Sequence, residues 1–145
     1  MYIPSNPSNP IDTRYVFSEL KKIAISIKRI IQPESWHNVG DTGEPVFKNS
    51  WANSGTGAVA SFYIDASERV YIKGHVNTGA SGTVVFTLPE GYRTPEQLSF
   101  TCHTVSGGGG SGGHSYCIIS VNGDVTLTMS GTSVDVSLDN ISFRV

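Results

Sequence analysis

The strongest strand signal in this chain is Val121-Asn122-Gly123-Asp124-Val125-Thr126-Leu127-Thr128-Met129. Asn-Gly favours a tight hairpin turn, because both central positions of such a turn need a positive φ. After the turn, Val125, Leu127 and Met129 alternate with threonines, which is the pattern of a strand with one buried face. The stretch therefore predicts a β-hairpin within an antiparallel sheet.

Short strands separated by turn residues recur on both sides of this hairpin. Sixteen Gly and seven Pro in 145 residues agree with a β-rich chain that has many turns. Eight or nine strands from Trp36 onward predict an antiparallel β-sandwich of jelly-roll type. The predicted strands are Pro45–Ala52, Ala58–Ile64, Arg69–Val76, Thr83–Leu88, Leu98–Val105, Tyr116–Val121, Val125–Met129, Ser133–Ser137 and Ile141–Val145.

An amphipathic helix is predicted before the strands. Asp12 is a candidate N-cap, and the helix continues to Gln32, where Pro33 stops it. Its apolar residues follow the 4-3-4-3 spacing of a coiled-coil seam, with β-branched residues at every d position, which favours trimers or tetramers. The seam spans barely two heptads, so a helix packed on the chain's own β domain is the alternative. The predicted oligomerisation residues are Val16, Leu20, Ile23, Ile27 and Ile30.

Three regions follow from these patterns. Residues 1–11 contain the near-repeat Ser5-Asn6-Pro7, Ser8-Asn9-Pro10 and predict an extended arm, because proline fixes φ and removes a backbone donor. Residues 12–35 form the predicted helical stem, and residues 36–145 the β-sandwich head.

Charge and hydropathy exclude two classes of partner. The net charge is −2, and residues 36–145 carry five basic and nine acidic side chains, a net charge of −4. A nucleic-acid surface needs clustered positive charge, so no nucleic-acid partner is predicted. No apolar run approaches the roughly 20 residues that cross a bilayer, so no membrane insertion is predicted.

No catalytic, metal or cofactor site is predicted. The glycine-rich segment Gly107–Gly113 contains a G-x-G-x-x-G pattern, but a strand follows it instead of the helix that a dinucleotide site requires. The four histidines lack the i+2 or i+4 spacing of a local metal site. Cys102 and Cys117 are expected to be reduced, buried residues, with a single disulfide as the alternative.

Aromatic side chains are the remaining candidates for recognition. Most are expected in the core or between subunits, but some should keep an edge in water and contribute to a shallow glycan site. The candidate receptor-binding residues are Trp51, Tyr63, Tyr71, Tyr92, His114 and Tyr116.

Several motifs of the β region resemble the C-terminal head domains of bacteriophage tail fibres and minor tail (receptor-binding) proteins. The most specific is Leu88-Pro89-Glu90-Gly91-Tyr92-Arg93; the others are Trp36–Gly40, Pro45–Asn53, Ala60–Asp65, Val70–Gly74 and Val121–Val125. The chain departs from the family pattern at Glu68-Arg69, where Asp-Gly is usual, and at Thr94, which separates Arg93 from Pro95. The resemblance implies a trimeric head on a helical stem and host-surface recognition, but transfers no ligand-binding residue.

These observations predict a homotrimeric, non-enzymatic bacteriophage virion protein. Its arm would attach to other virion proteins of the capsid or tail, and its head would bind a host-surface glycan. The alternative is a purely architectural virion protein, such as a head fibre or capsid decoration protein. A glycan-degrading enzyme is a third class, for which the sequence holds no catalytic motif.

Overall fold

The computed structural model describes residues 13–31, 34–105, 114–129 and 135–145. The chain divides into two compact units, Met1–Pro33 and Glu34–Val145. The predicted arm, the Asp12 cap, the Pro33 stop and the glycine-rich segment all lie outside the described residues.

The first unit contains the predicted helix, α1, at Thr13–Ile31. Its 19 residues span about 28 Å at 1.5 Å per residue. The apolar residues of the predicted seam are between 38% and 69% exposed in the single chain. Within the described parts of the chain, no helix is both long and apolar enough to span a membrane.

The second unit consists of two antiparallel sheets. A small sheet has the strand order β1-β3-β4-β11, and a large sheet has the order β2-β5-β10-β7-β8-β9-β6. This confirms a mainly antiparallel β head, whereas its jelly-roll type remains a prediction. The strands are β1 His37–Asn38, β2 Ala52–Asn53, β3 Ser61–Ile64, β4 Arg69–Lys73, β5 His75–Asn77, β6 Thr83–Thr87, β7 Leu98–Val105, β8 His114–Ile119, β9 Asp124–Met129, β10 Asp135–Ser137 and β11 Ile141–Arg144.

The hairpin predicted at Asn122-Gly123 connects β8 to β9. Gly123 has a φ of 91°, and its amide donates to Ser120 O across the turn at 2.8 Å. Val125 and Leu127 are fully buried, as the alternation predicts. The Gly123 carbonyl also accepts from Leu88 N, so the turn is tied to the end of β6.

The predicted strand Pro45–Ala52 is wrong except at its last residue. Asn49 and Ser50 have φ values of 50° and 63°, which are left-handed and incompatible with an extended strand. The segment instead forms a turn in which Trp51 N donates to Lys48 O at 3.0 Å. Val46, Phe47 and Trp51 are residue types that favour strands, but the two left-handed residues interrupt the extended backbone.

The predicted strand Arg69–Val76 is divided at Gly74. β4 belongs to the small sheet and β5 to the large sheet, so the chain changes sheets at this residue. Gly74 has a φ of 118°, and a Cβ atom placed there would lie 2.4 Å from Ala60 Cα. Its carbonyl accepts from Leu138 N, and its amide donates to Asp139 Oδ1. The chain passes between the sheets a second time between β10 and β11, and these two hydrogen bonds connect that turn to Gly74.

One core cluster lies among the buried strand residues. Both cysteines belong to it as free, buried thiols, which agrees with the expected reduced state. The largest fully buried side chains are Phe62, Phe86, Ile72, Leu88, Ile119, Leu127, Leu138, Ile141, Val70, Val76, Val85 and Val125.

The family departure at Glu68 coincides with an unusual backbone conformation. Glu68 has a φ of 61°, in the left-handed region that glycine adopts more readily. Asp65 stabilises the turn, because its Oδ1 accepts from the Ser67 and Arg69 amides at 2.8 and 3.0 Å. The hydrogen bonds of Asp65 therefore hold the turn in which Glu68 adopts this left-handed conformation.

We predict that Gly74→Ala strongly destabilises the head, whereas Gly82→Ala has a small effect. Both glycines have a positive φ, but a Cβ at Gly82 meets no heavy atom within 4 Å. Gly82→Ala should cost about 1 kcal/mol of unfolding free energy from backbone strain alone. Gly74→Ala should cost about 3 kcal/mol or more, because strain and a clash with backbone atoms add. Urea unfolding of both variants tests this, and equal losses would contradict the proposed role of Gly74.

Candidate ligand-binding surface

Aromatic residues gather on the outer face of the small sheet. In β3 and β4, Phe62, Ile64, Val70 and Ile72 are buried, so the alternating residues Tyr63, Tyr71 and Lys73 project from the opposite face. Trp36 directly precedes β1, whose His37 pairs with Phe62. We call Trp36, Tyr63, Tyr71 and Lys73 the aromatic face.

The side chains of the aromatic face form a continuous series of contacts across the sheet. The Tyr63 and Tyr71 rings are stacked, with centroids 5.0 Å apart and an interplanar angle of 12°. The edge-to-face contact between Trp36 and Tyr63 has a centroid distance of 4.5 Å. Lys73 Nζ lies 4.0 Å from the centroid of the Trp36 ring. These contacts hold the Trp36 ring in place although it is 39% exposed.

A cavity of about 400 Å³ opens beside Trp36, Tyr71 and Lys73, and its other wall comes from the turn between β10 and β11. Asp139 and Asn140 in that turn supply a carboxylate and an amide. Partial burial alone would raise the pKa of Asp139, but hydrogen bonds from Gly74 N–H, Ser137 and His75 hold it below its ordinary value. The carboxylate is thus ionised at neutral pH and acts as an acceptor.

This arrangement has the chemistry of a shallow sugar site. Aromatic rings pack against the C–H groups of a sugar ring, while the ammonium, carboxylate and amide groups satisfy its hydroxyls. Among the described residues, no group of three or more His, Cys, Asp or Glu side chains could hold a metal ion.

The other predicted receptor-binding residues lie elsewhere. Trp51 is only 3% exposed, so the expected solvent-accessible edge is wrong. Its indole N–H donates to Thr83 Oγ1 at 2.9 Å, and its ring lies directly against Gly79, where a Cβ would clash. The tryptophan is part of the core because its single polar group is satisfied internally.

His114 and Tyr116 share one face of β8 in the large sheet. Both are exposed, Tyr116 at 45%. They follow the glycine-rich segment 106–113, which lies outside the described residues. They form a surface separate from the aromatic face, on a different sheet.

Tyr92 belongs to a polar cluster at the start of the head. Its O–H donates to Glu34 Oε1 at 2.6 Å, and its ring packs edge-on against Phe62 at 5.0 Å. His37 lies between Glu34 and Glu44, with Nε2 3.3 Å from Glu34 Oε1 and Nδ1 2.8 Å from Glu44 Oε1. Tyr92 is therefore half-buried and anchors the segment that precedes β1.

The charges of this cluster alter its titration. Partial burial alone would lower the pKa of His37, but the hydrogen bonds and charges of Glu44 and Glu34 outweigh burial and raise it. Partial burial would raise the pKa of Glu34, but hydrogen bonds from Tyr92, the Ile64 amide and His37 hold it below its ordinary value. A doubly protonated His37 donates to both carboxylates and connects them.

The predicted residues Tyr63 and Tyr71 belong to the aromatic face, and their role in binding stays a prediction. Trp36, Lys73 and Asp139 were not among the predicted site residues. The alternation that sends Tyr71 outward also sends Lys73 outward, so that residue had a usable signal. Trp36 and Asp139 lie outside the predicted strands, and only the sheet pairing brings them to Tyr71.

Comparison with known proteins gives one informative likeness. No protein-family model matches the chain, and no curated protein matches it. The crystal structure of the receptor binding protein (gp15) of Listeria phage PSA matches with a TM-score of 0.58 and 17% sequence identity, over 99% of this chain and 88% of that one. The two proteins share a fold. This confirms, at the level of the fold, the resemblance to phage receptor-binding proteins.

We predict that His37 stabilises the head most at acidic pH. The pKa of His37 is higher in the folded than in the unfolded protein. The free energy that protonated His37 adds to folding is therefore fully present below the unfolded-state pKa of about 6.5, and it is lost as pH rises through the folded-state pKa. His37→Gln should therefore lose stability below about pH 6.5 and approach the parent protein at higher pH. Urea unfolding of both proteins over this range measures the difference. A pH-independent difference would show that the ring packing on Phe62, not the charge, matters.

Proposed function

We propose that the protein is a homotrimeric, non-enzymatic bacteriophage virion appendage whose β head recognises a host-surface glycan. Residues 1–11 attach the trimer to other virion proteins, and α1 holds the three chains together. The observation that carries this proposal is the likeness in fold to a phage receptor binding protein over nearly the whole chain.

The aromatic face supports a glycan as the ligand. Its indole, one tyrosine ring and its ammonium group line a cavity of about 400 Å³, to which Asp139 and Asn140 add a carboxylate and an amide. This volume is in the range of small-ligand sites. His114 and Tyr116 are the second candidate surface, but they are supported only by their exposure. We therefore place recognition on the aromatic face.

The exposed seam of α1 supports the trimer. Ile23 and Ile30 at d positions are 53% and 69% exposed in the single chain, and Leu20 at an a position is 55% exposed. Association of three helices would remove this apolar surface from water. A 19-residue helix is marginal by itself, so the heads must also contribute to assembly.

We predict that Trp36→Ala weakens binding to host cells by about tenfold or more, because a sugar-stacking ring contributes on the order of 1 kcal/mol at each of three sites. Binding of fluorescent protein to host cells, competed by purified host-surface polysaccharide, measures the effect. Tyr116→Ala is the matched control, since it removes a similarly exposed aromatic ring from the other sheet.

Three outcomes would contradict parts of this proposal. Loss of binding in Tyr116→Ala alone would place the site on β8. A parent protein that occupies virions but binds no host cell would support the architectural alternative. Release of reducing sugar ends from the polysaccharide would identify an enzyme.

We predict that Ile23→Asp dissociates the trimer and that Ile25→Asp does not. The two isoleucines are 53% and 57% exposed in the single chain, but Ile23 lies on the seam and Ile25 at the outward f position. Burying three carboxylates at one seam level opposes association. Light scattering after size exclusion, at micromolar concentration, measures the mass. A monomeric parent protein would disprove the trimer at once.

A further inference from the structure

Two arginines lie opposite each other beside the aromatic face. Arg69 in β4 pairs with Arg144 in β11, and both alternate with buried residues, so both project from the outer face. Like charges directly opposite on adjacent strands destabilise a sheet. In the described parts of the chain, neither guanidinium forms an ion pair with a carboxylate within 4.0 Å. In this part of the structure, no paired carboxylate therefore offsets the repulsion between the two guanidinium groups.

The two arginines line a groove of about 430 Å³ at the edge of the small sheet. Its other wall is the segment from Thr94 into the start of β7, where Leu98 and Phe100 are only half-buried. The groove thus combines two cationic groups with apolar surface, which is how sites for oxyanions on a larger ligand are built.

The groove adjoins the cavity of the aromatic face through a shared residue. Ser142 lines both, pairs with Tyr71 in register, and accepts a hydrogen bond from Arg69 Nη1 at 3.3 Å. Tyr71 and Arg69 are two residues apart on β4, so their outward side chains lie about 7 Å apart along the strand. One ligand can reach both sites.

We propose that the groove binds the oxyanion of an acidic glycan whose sugar ring lies on the aromatic face. The guanidinium groups of Arg69 and Arg144 donate paired hydrogen bonds to a phosphodiester or a carboxylate, and the half-buried apolar residues contact the adjoining sugar. That the anion belongs to a host-surface glycan rests on the proposed function; the anion site itself rests on the groove alone.

Nearby carboxylates limit the strength of this site. Glu96 lines the same groove, and Asp65 and Glu68 precede Arg69 in the chain. Asp65 accepts hydrogen bonds from backbone amides and Tyr71, which fixes its charge in the turn. Among the described residues, Glu96 forms hydrogen bonds through its backbone N–H and C=O and none through its carboxylate, so Glu96→Gln should strengthen anion binding severalfold.

The first test is an NMR titration of the full chain with three probes: dimethyl phosphate, glucuronate and neutral methyl glucoside. Saturable shifts of the Arg69 and Arg144 Nε–H signals with either anion support the proposal, and the tighter anion identifies the phosphodiester or carboxylate source. Shifts that are equally large with methyl glucoside, or no saturable shift with either anion, overturn it.

The second test compares two double variants with equal changes of charge. Arg69→Gln with Arg144→Gln should weaken binding of the preferred anion at least tenfold, because the double variant removes the charged hydrogen bonds of both guanidinium groups. Lys21→Gln with Lys28→Gln removes two exposed charges from α1 and should leave anion binding unchanged. Equal weakening in both double variants would reveal general charge attraction and overturn the site.

Urea unfolding shows whether a variant loses binding because its site is changed or because its fold is damaged. The arginine double variant should be at least as resistant to urea as the parent, because it removes a like-charge pair. Host-cell binding that is weakened by Trp36→Ala but unchanged in the arginine double variant would overturn this inference and leave the proposed function intact. Anion binding without host-cell binding would uphold the groove and contradict the proposed function.

Discussion

The two sheets of the head depend on the close approach of the backbone at Gly74. Only a residue without a Cβ fits there, because Ala60 Cα would lie 2.4 Å from the added atom. The chain changes sheets at this point, and the hydrogen bonds from Leu138 and to Asp139 hold the returning strand in place. The same contacts place Asp139 and Asn140 at the wall of the cavity. A constraint of folding thus also positions a candidate ligand-binding group.

The sequence predicted the elements that are determined by residues close together in the chain. The Asn122-Gly123 turn, the strand Leu98–Val105 and the helix Thr13–Ile31 each carry their own signal, from turn chemistry or periodicity. Prediction failed where contacts between residues distant in the sequence determine the backbone conformation. Pro45–Ala52 contains strand-forming residues but has left-handed residues at Asn49 and Ser50, and nothing local marks Gly74 as the point where the chain passes between the sheets.

The candidate site was predicted less well than the fold, for the same reason. Aromatic identity alone does not separate Trp51, whose N–H finds Thr83 in the core, from Trp36, which is fixed by a neighbouring strand and a lysine. The groove at Arg69 and Arg144 was not foreseeable, because the two residues are far apart in sequence and only the pairing of β4 with β11 makes them neighbours.

The outer face of the small sheet carries features that folding alone does not favour. The buried residues of β4 pack in the core, whereas the opposite face holds a half-exposed tryptophan and two arginines that lie opposite each other. Exposed aromatic surface and like-charge repulsion both oppose stability, and a ligand that stacks on one and neutralises the other relieves both costs. Because the two cavities are open and shallow, each desolvates a ligand only partly and binds it weakly. The recognition that we propose therefore depends on several such weak sites acting together on one polymer that repeats the same sugar and anion.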